Sequence, residues 1–134
     1  MSQAITGSCL CSEVRYQVDA IAPTAAHCHC TMCRKFHGAA FATLVPSQNF
    51  RWVSGIECVR EYTAENGTIR SFCRRCGSSL GFRSKGTPVD QMEVAIATLD
   101  QDIQITPEAH IFTNYKANWF QLSDDVAHHR EGKS

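Results

Sequence analysis

Cys73-Arg74-Arg75-Cys76-Gly77 is the stretch on which the fold turns. Two cysteines separated by two residues and followed by glycine have the shape of a zinc knuckle. The chain turns tightly between the thiolates, and Gly77 can take up a positive φ after the second. A knuckle supplies half of a tetrahedral shell. The other half stands near the start of the chain, in Gly7-Ser8-Cys9-Leu10-Cys11. Along an extended strand residues i and i+2 project to one face, so Cys9 and Cys11 present their sulfurs together. Zn–S bonds of about 2.3 Å would tie the two segments into a closed, structural site. Arg74 and Arg75 either offset the negative charge of four thiolates or are ordinary solvated turn residues. Both readings stand. Ferredoxin spacings are absent, and Cys73 and Cys76 lack the βαβ context of a thioredoxin-like motif.

Outward from these pairs, the chain has eight cysteines in 134 residues, and seven of them are clustered. Disulfides are the weaker explanation. Cysteines two or three residues apart are poorly placed to staple distant segments, and MSQAITGS lacks the basic start and apolar core of a secretory signal. A reducing compartment, the cytoplasm, is the expected location. The third cluster is Cys28-His29-Cys30-Thr31-Met32-Cys33. Three thiolates and one open position are the arrangement of a catalytic zinc. The open position can take water, a thiolate or a carbonyl oxygen. His27, His29 or His37 could instead close the shell as a Cys₃His site, with His37 first for reach. Cys58 stands alone and reads as a small buried hydrophobe.

Length and composition fit one domain over 1–134 with its core at about 5–125. At 43% apolar the chain can bury a core and is not disordered. Thirteen basic and thirteen acidic side chains cancel, so charge gives no argument for nucleic acid. No apolar run nears the roughly 18 residues of a membrane span. Oligomeric state is not legible. The chain reads as mainly β. Val14, Tyr16 and Val18 alternate with polar residues as a half-buried strand. Further strands are expected at Phe41 to Val45 (closed by Pro46), Phe50 to Val53, Cys58 to Tyr62, Ile69 to Cys73, Ser79 to Arg83 and Ile103 to Thr106. Met92, Val94 and Ile96 suggest one face of a longer strand, and Asn66-Gly67 a turn. Short helices are expected only at Cys30 to Phe36 and after Trp119. The polar tail from about His128 to Ser134 should fray.

These motifs carry a family resemblance. Gly7-Ser-Cys9-Leu-Cys11-Ser-Glu-Val14-Arg-Tyr16 resembles the opening GxCxCGxVxY of the glutathione-dependent formaldehyde-activating enzyme family, which includes the centromere protein V group. His27-Cys28-His29-Cys30-Thr-Met-Cys33-Arg34-Lys35-Phe-His37-Gly38 resembles its middle motif, and Phe72-Cys73-Arg-Arg-Cys76-Gly77-Ser-Ser-Leu80 its third. Pro107-Glu-Ala-His110-Ile to Trp119 is similar to its ending. The resemblance implies a mainly β, Mss4-like β-tent with antiparallel strands around two zinc ions. It implies structural zinc on Cys9, Cys11, Cys73 and Cys76, and a second zinc on Cys28, Cys30 and Cys33, the catalytic group. It also implies a carbon–sulfur lyase that condenses glutathione with formaldehyde to S-hydroxymethylglutathione. Two departures stand out. Ser12 replaces a glycine, and Lys116-Ala117-Asn118-Trp119 lacks a proline before the tryptophan.

Glutathione carries two carboxylates, so its pocket should hold cations. Arg34 and Lys35, directly after the open site, are the first candidates, with Arg51 and Lys116 behind them. Trp52, Phe36 and Trp119 are read first as packing residues and second as pocket lining. Two other functions share the motifs: a non-catalytic glutathione carrier, and a protein-interaction module. Seven thiolates and two zinc dications would take the formal charge from zero to −3.

Overall fold

The computed structural model describes residues 4–132. In chain order the elements are β1 (Ile5–Ser8), β2 (Arg15–Val18), β3 (Ala20–Ile21), β4 (Ala26–Cys28), α1 (Thr31–His37), β5 (Ala42–Gln48) and β6 (Arg51–Ser54). There follow β7 (Val59–Thr63), β8 (Ile69–Cys73), β9 (Ser79–Arg83), β10 (Glu93–Ala95), β11 (Ala109–Ile111) and β12 (Ala127–His128). The chain is mainly β, as its alternating patterns imply. It divides into two compact units, one of residues 4–22 and Val45–Gln104, the other of Pro23–Leu44 and residues 105–132.

In the first unit, β2 pairs antiparallel with β1 and with β6. Val14, Tyr16 and Val18 are fully buried, so the period-2 pattern reports a real inner face. Tyr16 is the hub. Its ring stacks on Phe50 at 5.0 Å and meets Trp52 edge-on, and its hydroxyl bonds Thr98 Oγ1 at 2.7 Å. Gly7 lies directly across from it, and a Cβ there would collide with the Tyr16 ring. That close approach explains the glycine. The rest of the unit is an antiparallel meander, β7–β8–β9–β10. Its first hairpin closes where Ala64 N donates to Thr68 O at 2.9 Å, with Gly67 at φ 89°. Leu80, Met92 and Val94 are fully buried beneath it; each such side chain contributes roughly 1.5–3 kcal/mol.

In the second unit, β4 pairs antiparallel with the first residues of β5 and parallel with β11, which pairs parallel with β12. Helix α1 follows β4 because Cys30 caps it, its Sγ accepting from Cys33 N at 3.3 Å. Gly38, left-handed at φ 60°, ends it by donating to Arg34 O.

The structure corrects several expectations. Pro46 does not close β5, which runs on to Gln48; it needs no donor there, and its carbonyl accepts from Ala22 N. The strand at Met92 is short, because the chain enters a single 3₁₀ turn at Ile96–Thr98. Ile103 to Thr106 joins no strand, although Ile103 and Ile105 alternate with exposed neighbours. No helix follows Trp119 among the described residues; the local helical turn lies earlier, at Thr113–Tyr115. The tail does not fray where it is described. His129 N donates to His110 O, and Phe112, Thr113 and Asn114 donate to Glu131, His129 and Arg130. Residues 1–3 and 133–134, the ends of the expected leaderless start and frayed tail, lie outside the described residues. No helix is long and apolar enough to cross a membrane.

Two candidate metal centres

In the first unit, Cys9 and Cys11 lie in a turn just after β1, closed by Ser12 N donating to Cys9 O, and not along the extended strand expected there; this turn and the one after β8 bring four sulfurs together. The Sγ atoms of Cys9, Cys11, Cys73 and Cys76 all lie within 4.8 Å of one another. Two of the separations, Cys9 to Cys11 and Cys11 to Cys73, are 3.6 and 3.9 Å. Four sulfurs about 2.3 Å from one tetrahedral centre would stand about 3.8 Å apart, so the donor set fits a zinc-sized ion. Backbone amides support the sulfurs: Val14 N donates to Cys9 and Arg75 N to Cys73, at 3.3 and 3.4 Å. Such bonds orient ligands from outside the shell. Backbone hydrogen bonding at Glu13 opposes the rise, but burial and the neighbouring sulfurs push the Cys11 thiol up to about 12. For Cys76, burial acts upward, yet the Ser78 hydroxyl and amide draw it down to about 5. Unequal thiols of this kind share protons, and a bound dication would release them.

The arginines of the knuckle turn away to neighbours. Arg75 pairs with Glu13 at 3.1 Å, and Arg74 Nε donates to Glu57 O. Cys58 is buried, and its carbonyl accepts from Arg74 N at 2.7 Å, bracing the knuckle from behind. Its sulfur and carboxylate oxygens of Glu13 and Glu57 also lie within 4.8 Å of one another.

In the second unit, β4 delivers Cys28, the cap of α1 delivers Cys30, and the first turn of α1 delivers Cys33. Their three sulfurs lie within 4.8 Å of one another. No histidine belongs to that group among the described residues. His27 Nδ1 is engaged with Thr43 Oγ1, and His29 Nε2 with His110 Nδ1, both at 2.7 Å. Hydrogen bonds to Cys30 and Cys33, with burial, push the Cys28 thiol upward. A cation is what three close thiolates need in order to ionise together.

Two shallow clefts share Thr31 beside this cluster. One, of about 260 Å³, is lined by Cys30, Thr31, Met32, Phe112 and Tyr115. The other, of about 290 Å³, is lined by Thr31, Arg34, Lys35, Gly38, Ala39 and Trp119. Arg34 is held by a bond from Nη1 to Tyr115 O at 2.9 Å. Trp119, read first as packing, is 67% exposed and forms a wall of the second cleft. Arg51 is elsewhere, paired with Asp19 at 2.9 Å in the first unit. Lys116 spends its Nζ on the carbonyls of Ala117 and Phe120. Trp52 packs edge-on against Phe50.

The sequence suggests His29 only as a ligand of the second site, and nothing in it points to the chain His29–His110–Asp124, whose two imidazoles are buried and whose carboxylate is exposed. His110 Nε2 meets Asp124 Oδ2 at 2.8 Å, and Nδ1 of His29 is buried with no partner. Burial first, then the charge of His110 and His27, holds the His29 imidazole down to about 4, so it is neutral at pH 7. These residues are far apart in sequence, and no spacing signals them. Only the parallel pairing of β4, β11 and β12 brings them together.

Comparison with known proteins agrees with the motifs. The chain is 28% identical over 127 residues to a Halomonas elongata protein named putative glutathione-dependent formaldehyde-activating enzyme, covering 88% of this chain and 80% of that one. It is 32% identical over 76 residues to an uncharacterized lyase of Schizosaccharomyces pombe, covering 57% and 55% of the two chains. A crystal structure of a Rhodobacter sphaeroides protein shares the fold at a TM-score of 0.61 and 24% identity, over 73% of this chain and 90% of that one. The model of the family described as glutathione-dependent formaldehyde-activating enzyme matches residues 4–115. With that match over most of its length, the chain belongs to the glutathione-dependent formaldehyde-activating enzyme family.

Proposed function

We propose that this protein is a zinc-dependent carbon–sulfur lyase acting on the adduct of an aldehyde with glutathione or another small thiol. Family membership and the lyase-named relative support an enzyme of this type. The observation that carries the reading is the three-sulfur group of Cys28, Cys30 and Cys33, with Cys30 itself lining a cleft. In the condensing direction the thiol S–H bond breaks and a C–S bond forms. The C=O double bond becomes C–O–H, taking up the proton, as in S-hydroxymethylglutathione. Zinc on these three sulfurs would act as a Lewis acid that keeps a thiol deprotonated at neutral pH.

The chain's own residues would bind and orient. Arg34, already fixed by the Tyr115 carbonyl, and Lys35 would hold the glutathione carboxylates. Met32, Phe112 and Tyr115 would exclude water from one side. The four sulfurs of Cys9, Cys11, Cys73 and Cys76 would hold a second, structural zinc. Seven clustered cysteines that read as metal ligands rather than disulfides support a reducing compartment, the cytoplasm, as the location.

Thiol and aldehyde also combine unaided, so the test is a rate. Substoichiometric protein should accelerate adduct formation above the spontaneous reaction, and Cys28→Ser should remove the acceleration. Glutathione binding without acceleration would leave a carrier and sink the lyase.

A further inference from the structure

In the parallel ladder of β11 and β12, His110 stands directly across from His128, so both imidazoles project to one face. Their rings are 5.3 Å apart, edge to face. Asp124, one helical-turn equivalent before His128, splits its carboxylate between them. Oδ2 lies 2.8 Å from His110 Nε2, and Oδ1 lies 3.3 Å from His128 Nε2. All three ligand atoms fall within 4.8 Å of one another. Donors about 2.0–2.1 Å from a tetrahedral zinc-like ion stand about 3.3 Å apart, so little movement is needed to admit one.

From this geometry we propose that His110, Asp124 and His128 form a third metal site, of two imidazoles and one carboxylate, for a divalent transition metal. Such a donor set suits zinc, cobalt or nickel, and three protein ligands leave a position open. The surroundings have the build of a metal site. His110 is fully buried, and its other nitrogen is fixed by His29 Nε2 at 2.7 Å, the outer contact that orients a ligating imidazole. His27 and Phe41 clamp its ring, at centroid distances of 4.8 and 5.7 Å. Asp124 and His128 are exposed, so the metal and any further ligand enter from solvent. The site shares no ligand with either cysteine cluster, so it stands or falls separately from the lyase reading.

The test uses tag-free full chain carrying two equivalents of zinc, enough for the two cysteine clusters only, titrated with Co²⁺. The expected result is one further equivalent bound, with d–d absorption and no thiolate charge-transfer band. His128→Ala, an exposed change, and Asp124→Asn should each weaken that equivalent by tenfold or more while the zinc content is unchanged. Absence of a further equivalent in the parent protein would overturn the proposal. So would a thiolate band, or an affinity that His128→Ala leaves intact.

Discussion

Ser12 has a φ of 68°, the left-handed region where a side chain is strained, and its amide donates to Cys9 O to close the turn between the two ligands. The serine for glycine there keeps the turn and strains it. Relief of roughly 1–2 kcal/mol, less the roughly 0.5–1 kcal/mol that glycine loses in chain entropy, makes Ser12→Gly stabilising by about 0.5–1 kcal/mol. Denaturant midpoints of the zinc-loaded proteins check this. Arg34 and Lys35 make a functional prediction. Replacing both with alanine should raise KM for glutathione roughly tenfold with little change in kcat, because charges that hold the carboxylates bind ground and transition states alike. An unchanged KM would return them to solvated surface. The seven clustered cysteines were legible because their spacing is itself the chemistry. Arg51 and Lys116 rank behind Arg34 and Lys35 in the sequence because they do not follow the open site, but the carboxylate and carbonyls that engage them are not legible there.

At the scale of elements, β1 and β2 approach closely because Gly7 faces the Tyr16 ring. Gly7→Ala should destabilise by about 2–3 kcal/mol, since a rigid buried aromatic cannot step aside. Thermal unfolding measures it. On β10, burial raises the Glu93 carboxyl above its ordinary range. A carboxyl whose folded pKa is raised favours the protonated fold, so stability falls as pH rises through it. Glu93→Gln should therefore raise Tm at pH 7, and the gain should shrink as the solution is acidified below the ordinary carboxylate pKa. The strands from β7 to β9 were readable from alternation and an Asn-Gly turn. Ile103 to Thr106 was misread because alternation reports two faces and cannot report whether a neighbouring edge exists to pair with. The tail was misread for the converse reason: Ala127–His128 is polar and short, yet β11 offers it an edge.

For the whole molecule, the two cysteine sites fall in different compact units, four sulfurs in one and three in the other. On the proposed function each unit would have its own metal dependence. Cys9→Ser should cost about 3 kcal/mol or more and release the structural ion. Cys28→Ser should abolish turnover with a smaller loss of stability. Equal collapse of both variants would make the second site structural too. The family and the mainly β class could be read from three motifs, whereas the histidine network depends on parallel strand pairing that no local pattern announces. The decisive measurement is zinc content per chain together with X-ray absorption of the bound zinc, with and without glutathione. The account predicts two zinc ions on sulfur, one with four sulfurs throughout, the other with three sulfurs and a lighter ligand that glutathione replaces with a fourth sulfur. A second zinc already closed by a protein ligand and unchanged by glutathione would contradict it.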